Sequence, residues 1–236
     1  MITIKWAGME ENLELSLFEP EKLQKYYYND CTSNFARCPG FLNSIKNAFV
    51  IRAPYDISFT VDVENKRVAV INAPDNIRLR NRIEESPRDN NPVISIMVKY
   101  VFVVDTDVIM EVLPPFLEQE LPFRVVPGRF NIGKWVRPTE YAFEVMKSGS
   151  YTIKRGQPLF YVRFTTNDET DIVKLSRVDY TKEFHSHVMQ CTELKTYVPK
   201  LPLEKSYSLA SVLDIKKLYK NLTAKKSGCP FHGFWK

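Results

Sequence analysis

His187 and Cys191 stand four residues apart in a stretch with helical apolar spacing, so an imidazole and a thiol share one helix face. Cys229 and His232, three apart, complete a candidate Cys2His2 set of the kind that holds Zn²⁺, and His185 could replace one ligand. Zinc held this way would staple the C-terminal tail to the helix and leave no open coordination position, which is a structural role. The alternative is that Cys191 fills the apolar face of the helix, His185 and His187 face water, and Cys229 is a thiol. His185-Ser186-His187 followed by Glu193 is a poor match to a cupin iron or manganese site, because the pair lies on a helix rather than on a barrel strand.

Acid–base groups are scattered. Asp105 and Asp107 flank Thr106, and Asp168 and Asp171 sit in a loop-like stretch; such pairs ordinarily cap turns and face water. With three histidines in all and no Gly-x-Ser-x-Gly, the chain has little with which to build a nucleophilic triad. Arg78, Arg80 and Arg82 alternate, which on a strand would put three guanidinium groups on one side, and Lys216, Lys217 and Lys220 add charge on the last helix. This is the candidate nucleic-acid surface, although Glu84, Glu85 and Asp89 partly neutralise the arginines. Arg129, Trp135, Arg137 and Arg163 are the candidate binding residues. Lys134–Pro138 would anchor a partner if Trp135 is exposed. Phe130–Arg137 together with the strand Leu159–Phe164 would form a pocket in which Arg137 and Arg163 hold an anion.

These residues need a scaffold, and the composition supports one. The chain has 236 residues, 44% hydrophobic and 13% aromatic, enough apolar surface for a core that needs neither metal nor disulfide to fold. No apolar run has the length of a membrane span, and Met1–Trp6 lacks the features of a signal peptide. Four cysteines make no dense disulfide framework, so Cys31, Cys38, Cys191 and Cys229 are expected as reduced thiols or metal ligands. Of the net charge of +5, the tail beyond residue 194 contributes the whole excess, with lysines outnumbering Glu204 and Asp214; it could meet an anionic partner, nucleic acid or water.

The pattern predicts a mainly β, α+β chain: an antiparallel sandwich, jelly roll or β-clip-like core over 1–180, and a helical extension with a basic tail over 181–236. Ile2, Ile4 and Trp6 alternate as an edge strand would; short helices are expected over about 21–28 and 39–48. Phe49–Ile51, Ile57–Val63 and Val68–Ile71 read as a three-stranded meander, the last two joined through Glu64-Asn65-Lys66. Val93–Val104 is a long strand that Val108–Val112 continues, and Phe123–Val126, Tyr141–Val145 and Leu159–Phe164 are three more. Two amphipathic helices are expected, over 181–198 and from Ser208 to Leu222.

Three segments carry a resemblance: Cys38-Pro39-Gly40-Phe41 running through Phe49-Val50-Ile51-Arg52-Ala53-Pro54-Tyr55-Asp56-Ile57; Val126-Pro127-Gly128-Arg129-Phe130-Asn131-Ile132; and Ile153-Lys154-Arg155-Gly156-Gln157-Pro158-Leu159-Phe160-Tyr161-Val162-Arg163-Phe164. In this order they resemble an uncharacterised family of tailed-bacteriophage, often marine, and bacterial proteins, over roughly residues 35–180. The resemblance brings no activity with it and implies a protein of the host cytoplasm or the virion. The second and third segments are also similar to the β-clip of dUTPase and dCTP deaminase. There an Asp handles the sugar or the attacking water, whereas the matching residue here is Asn131, whose amide could not fill that role. The expectation that follows is a non-enzymatic protein that binds another protein, with self-association open. The alternatives are a metal- or nucleotide-dependent enzyme and a nucleic-acid-binding protein.

Overall fold

The computed structural model describes residues 1–9, 17–30, 38–72, 79–81, 91–118, 123–197, 201–210 and 214–224. Its strands form where β-branched and aromatic residues gather, in near-continuous runs at Ala48–Arg52, Val93–Val103 and Pro158–Thr165 and alternating with polar residues at Ile57–Asp62, and they assemble into three sheets. The first sheet runs β14(Val173–Arg177), β1(Ile2–Gly8), β7(Val93–Val103), β11(Pro138–Val145), β9(Phe123–Val125), with β6(Leu79–Asn81) also pairing β7. The second runs β10(Gly128–Asn131), β8(Ile109–Leu113), β13(Pro158–Thr165), β3(Ala48–Arg52), β2(Glu21–Lys22). The third is β12(Gly149–Ile153), β4(Ile57–Asp62), β5(Arg67–Asn72). Among the described residues all strand pairs but one are antiparallel; β1 lies parallel to β14.

The inward faces of all three sheets meet in one apolar layer. Ile4 and Trp6, Ile94 to Val104 on alternate positions, Phe49, Phe59, Tyr141, Phe143, Phe160 and Phe164 are all buried in it. This mainly β, sandwich-like arrangement is the expected fold class, and the described strands close no barrel.

Helices cover the two outer faces. Leu23 of α1(Leu23–Asp30) and Ile45, just beyond α2(Pro39–Ser44), pack on Ala48, Val50 and Tyr161 of the second sheet. On the first sheet, Ala7, Val101 and Val103 receive Phe184, Val188 and Cys191 of α3(Lys182–Tyr197), Ala210 of α4(Leu203–Ala210), and Ile215, Leu218 and Leu222 of α5(Ile215–Ala224).

The elements depart from their sequence signals in four places. The three strands from Phe49 to Ile71 are no meander, because β3 joins the second sheet while β4 and β5 form the third. Likewise Val108–Val112 does not extend β7: the chain turns at Asp105–Asp107 and crosses to the second sheet. β1 is not an edge strand; it lies between β14 and β7. The single helix expected from Ser208 to Leu222 is two, since α4 begins after Pro202 and Asp214 starts α5 by accepting the Lys217 N–H on Oδ1 at 2.9 Å. Among the described residues no helix is long and apolar enough to cross a membrane, which leaves membrane-crossing strands unaddressed.

Candidate functional site

Asn131 ends β10 and is the hub of a turn. It is almost fully buried, and every polar end is used: Nδ2 donates to Asp107 Oδ1 at 2.8 Å, Oδ1 accepts the Gly133 N–H at 2.9 Å, and its own N–H donates to Tyr207 Oη at 2.7 Å. Its carbonyl accepts the N–H groups of Lys134 and Trp135. A side chain that must donate at one end and accept at the other is an amide, which explains why no carboxylate stands here. Gly133 is required by space: a Cβ built there would lie 2.0 Å from the backbone oxygen of Thr106. This close approach clamps the turn at 131–134 onto the crossing at 105–107. Lys134 Nζ reaches Asp107 Oδ1 at 3.0 Å, and the Lys134 and Asn131 hydrogen bonds hold the Asp107 carboxyl below its ordinary value.

The clamp fixes Trp135. Rather than an exposed anchor, its ring is 4% exposed and packs among the residues that join the first sheet to the helices, 6.4 Å from Tyr207. The ring also walls a cleft of about 330 Å³ with Phe130, Met110, Val112, Ala142 and Leu203. Arg137 contributes the polar side of that cleft: its Nη2 donates to Glu140 Oε2 at 3.1 Å and its guanidinium lies 5.8 Å from the centre of the Phe130 ring. Glu140 Oε1 accepts from the Ser95 hydroxyl, so the pair is held from behind. Phe130 and Arg137 therefore meet at this cleft.

Leu159–Phe164 is not part of that cleft. Arg163 lies on the outer face of the second sheet, where its Nε and Nη2 donate to Glu111 Oε2 at 3.0 and 2.7 Å. Arg129 reaches the other oxygen of Glu111 at 3.3 Å. The strand register dictates this row, because Glu111 is opposite Arg129 on β10 and opposite Arg163 on β13. Glu111 and Glu140 were not among the candidates; an acid between Met110 and Val112 in an apolar strand was the available signal for the first.

A second, more open cleft of about 960 Å³ lies between the turns at 105–107 and 133–134 and the start of α5, with Asp105, Asp107, Glu204 and Asp214 facing Lys134 and Lys216. Elsewhere, Asp62 is held below its ordinary value by Asn65, and Asp168 by Thr170, each within its own turn.

Of the candidate zinc ligands, Cys229 and His232 lie outside the described residues. Cys191 is fully buried, and burial pushes its thiol up to about 11, away from the thiolate that a metal binds. His187 uses Nδ1 against the Glu183 carbonyl at 2.9 Å. Cys191 thus belongs to the helix–sheet packing, and the described residues contain no group of three His, Cys, Asp or Glu placed to share a metal ion. Arg78 and Arg82 also lie outside the described residues; Arg80 sits on β6, opposite Ser95. Lys216, Lys217 and Lys220 are exposed on α5, away from the buried Leu218 and Leu222.

No family model matches the chain, and no curated protein matches it. Among solved structures it is similar to one described as native EIAV dUTPase, at 11% sequence identity over 54% of this chain and 88% of that one, with a TM-score of 0.32. A likeness of that size carries no argument about this chain's activity.

Proposed function

We propose that this chain is a non-enzymatic binding protein that takes an apolar side chain of a protein partner into the cleft walled by Phe130, Trp135 and Leu203, with Arg137 offering hydrogen bonds at its polar side. The phage-type resemblance supplies the setting, in the host cytoplasm or the virion. The observation that carries the reading is the clamp: Asn131, Gly133 and Asp107 hold Trp135 in place, so the cleft is formed before anything binds and little ordering is left to be done on association. Support for binding over hydrolysis comes from Asn131, whose amide is spent on Asp107 and Gly133. The carboxylates Asp62, Asp107 and Asp168 are all pushed downward, the direction of a permanent charge rather than of an acid ready to give a proton near neutrality.

Capped amino-acid amides test this, with the Trp135 indole N–H resonance as readout. N-acetyl amides of leucine, phenylalanine or tryptophan are expected to shift that resonance, and N-acetylglycine amide is not. Leu203 is 40% exposed at the rim, so Leu203→Arg introduces a charge there without emptying the core and should abolish the shift. Equal shifts from the glycine control, or shifts that survive Leu203→Arg, would refute the reading.

A further inference from the structure

The third sheet ends on one side in β5, which hydrogen-bonds β4 and, among the described residues, no other strand. The strand reads Arg67-Val68-Ala69-Val70-Ile71-Asn72, and all of it but Val68 is exposed, with Val70 at 48% and Ile71 at 63%. Edge strands are normally blunted by lysine, proline or a charge pointing inward. Val68 to Ile71 carries none of these. Of the two basic residues just before it, Lys66 lies in the turn at φ +52°, and Arg67 stands opposite Asp62 on β4, whose carboxyl is held below its ordinary value first by Asn65 and further by Arg67, so that charge is offset within the same copy. The other edge of the same sheet is different: β12 opens with Gly149 at φ +155° and continues through Ser150 and Thr152.

The backbone of β5 is also directional. The Ala69 carbonyl faces β4, where Thr60 Oγ1 donates to it at 3.4 Å. Because the N–H and C=O of one strand residue point the same way and alternate along the chain, Val68 and Val70 direct theirs away from β4. A bulge at Ile71 ends this regular stretch on one side, since Phe59 is opposite Val70 and Ser58 opposite Asn72. Lys66, at φ +52°, ends it on the other. Any strand added here therefore has three regular residues to pair with, Val68 to Val70.

The geometry points to a second copy of this chain as the occupant, with β5 pairing antiparallel to β5 about a two-fold axis at Ala69. That register sets Val68 against the other copy's Val70 and exchanges both N–H···O bonds in each such pair. Arg67 meets Ile71, so no like charges face one another. Moving the axis by half a residue would set Val68 and Val70 against residues whose backbone groups face β4. Moving it by a whole residue would keep the groups matched but bring in either Lys66, opposite Val70, or Asn72 beyond the bulge, opposite Val68. The two three-stranded sheets then become one of six strands, and its outer face runs through Ser58, Thr60, Ala69, Ser150 and Thr152, with the Asp62 and Arg67 pair of each copy on the same face. This association is separate from the cleft.

The axis makes a prediction that a structural role for Ala69 would not. Ala69 is exposed and its neighbour across the interface is its own counterpart, in a non-hydrogen-bonded pair with Cα atoms about 4.5 Å apart. In sedimentation over a concentration series the protein should move from monomer to dimer mass, and Ala69→Lys and Ala69→Glu should each remain monomeric at concentrations where the parent dimerises. Mixing the two variants should restore dimers. In a second arm, mild oxidation of Ala69→Cys in a Cys38→Ser background should give a dimer whose linkage maps to residue 69 in both chains, a spacing suited to a disulfide, whereas Thr60→Cys should not crosslink to itself. A parent that stays monomeric throughout, or a dimer that survives Ala69→Lys, would overturn the proposal. Neither result touches the cleft, since the Trp135 titration is read on monomer and dimer alike.

Discussion

Asn131 shows how a single atom type decides what a site can do. Its Nδ2 donates to a carboxylate, Asp107, while its Oδ1 accepts from Gly133. Asn131→Asp would exchange the donor for a second negative charge about 3 Å from the first, and two carboxylates so close cannot both ionise without cost. The folded-state proton affinity of the pair would rise, so the loss of stability is present above the ordinary carboxylate range and is relieved as pH falls through it. Urea unfolding should place the variant roughly 1–3 kcal/mol below the parent at pH 7, with the gap narrowing toward pH 4; a gap independent of pH would mean that only the amide's geometry matters. Cys191 makes the complementary point about reactivity. Its thiol, fully buried and pushed up to about 11, should resist a maleimide at pH 7.5 until the protein unfolds, while the exposed Cys38 labels at once. A zinc chelator should leave the melting temperature unchanged. Asn131 itself stood out in the sequence only as a departure from an aspartate. The reason for that departure lay in Asp107, which the chain brings to it in the crossing between β7 and β8, and no spacing rule connects the two.

Elements were legible where their own residues leave one conformation. Val93–Val103 and Pro158–Thr165 are buried on both faces and read as runs of β-branched and aromatic residues, while the α3 stripe of Phe184, Val188 and Cys191 follows because burial on one side selects the helical period. Sheet membership did not follow, since nothing local to Phe49–Ile51 says whether its partner will be Ile57–Asp62, its neighbour in sequence, or Pro158–Thr165, more than a hundred residues away. β10, β12 and β14 were missed for a related reason. Gly128–Asn131 and Gly149–Ile153 begin with glycine, and Val173–Arg177 has a single fully buried residue, so each depends on its partner strand for its conformation. Pairing of distant strands makes the turns that aim them costly to alter, and Gly133 is the sharpest case. Gly133→Ala would put a methyl group 2.0 Å from the Thr106 carbonyl oxygen, which cannot rotate away. The expected cost is about 1–3 kcal/mol, read by denaturant unfolding. Broadening or loss of the Trp135 indole resonance should accompany it, because the same turn holds that ring; a variant as stable as the parent would show that the two turns separate easily.

At the scale of the whole molecule, the layer between the sheets and the two layers between sheet and helices bury phenol and thiol groups away from water: Tyr141 in the first, Tyr161 and Cys191 in the others. Tyr141 and Tyr161 are both raised by burial above the ordinary 10.0, Tyr161 further by the nearby Glu118 carboxylate, and Cys191 is raised from 9.0 to about 11. In the unfolded chain these groups would ionise at their ordinary values; in the folded protein they keep their protons. Each therefore contributes stability that is fully present below its unfolded value and is lost as pH rises through the folded one. Above about pH 10 the unfolded state binds fewer protons than the folded state, and stability should fall by up to about 1.4 kcal/mol per pH unit for each such group. The decline should begin near pH 9 with Cys191 and steepen past 10 with the two tyrosines. Tyr141→Phe keeps the ring that stacks on Phe160 at 5.1 Å and deletes only the titrating oxygen, so the variant's stability should decline with a slope shallower by one proton above pH 10 and match the parent's slope below pH 9. Urea midpoints measured from pH 7 to 11 give both slopes. Identical slopes for the two proteins above pH 10 would mean that water reaches the Tyr141 hydroxyl, and that the sheets do not close over that end of the core.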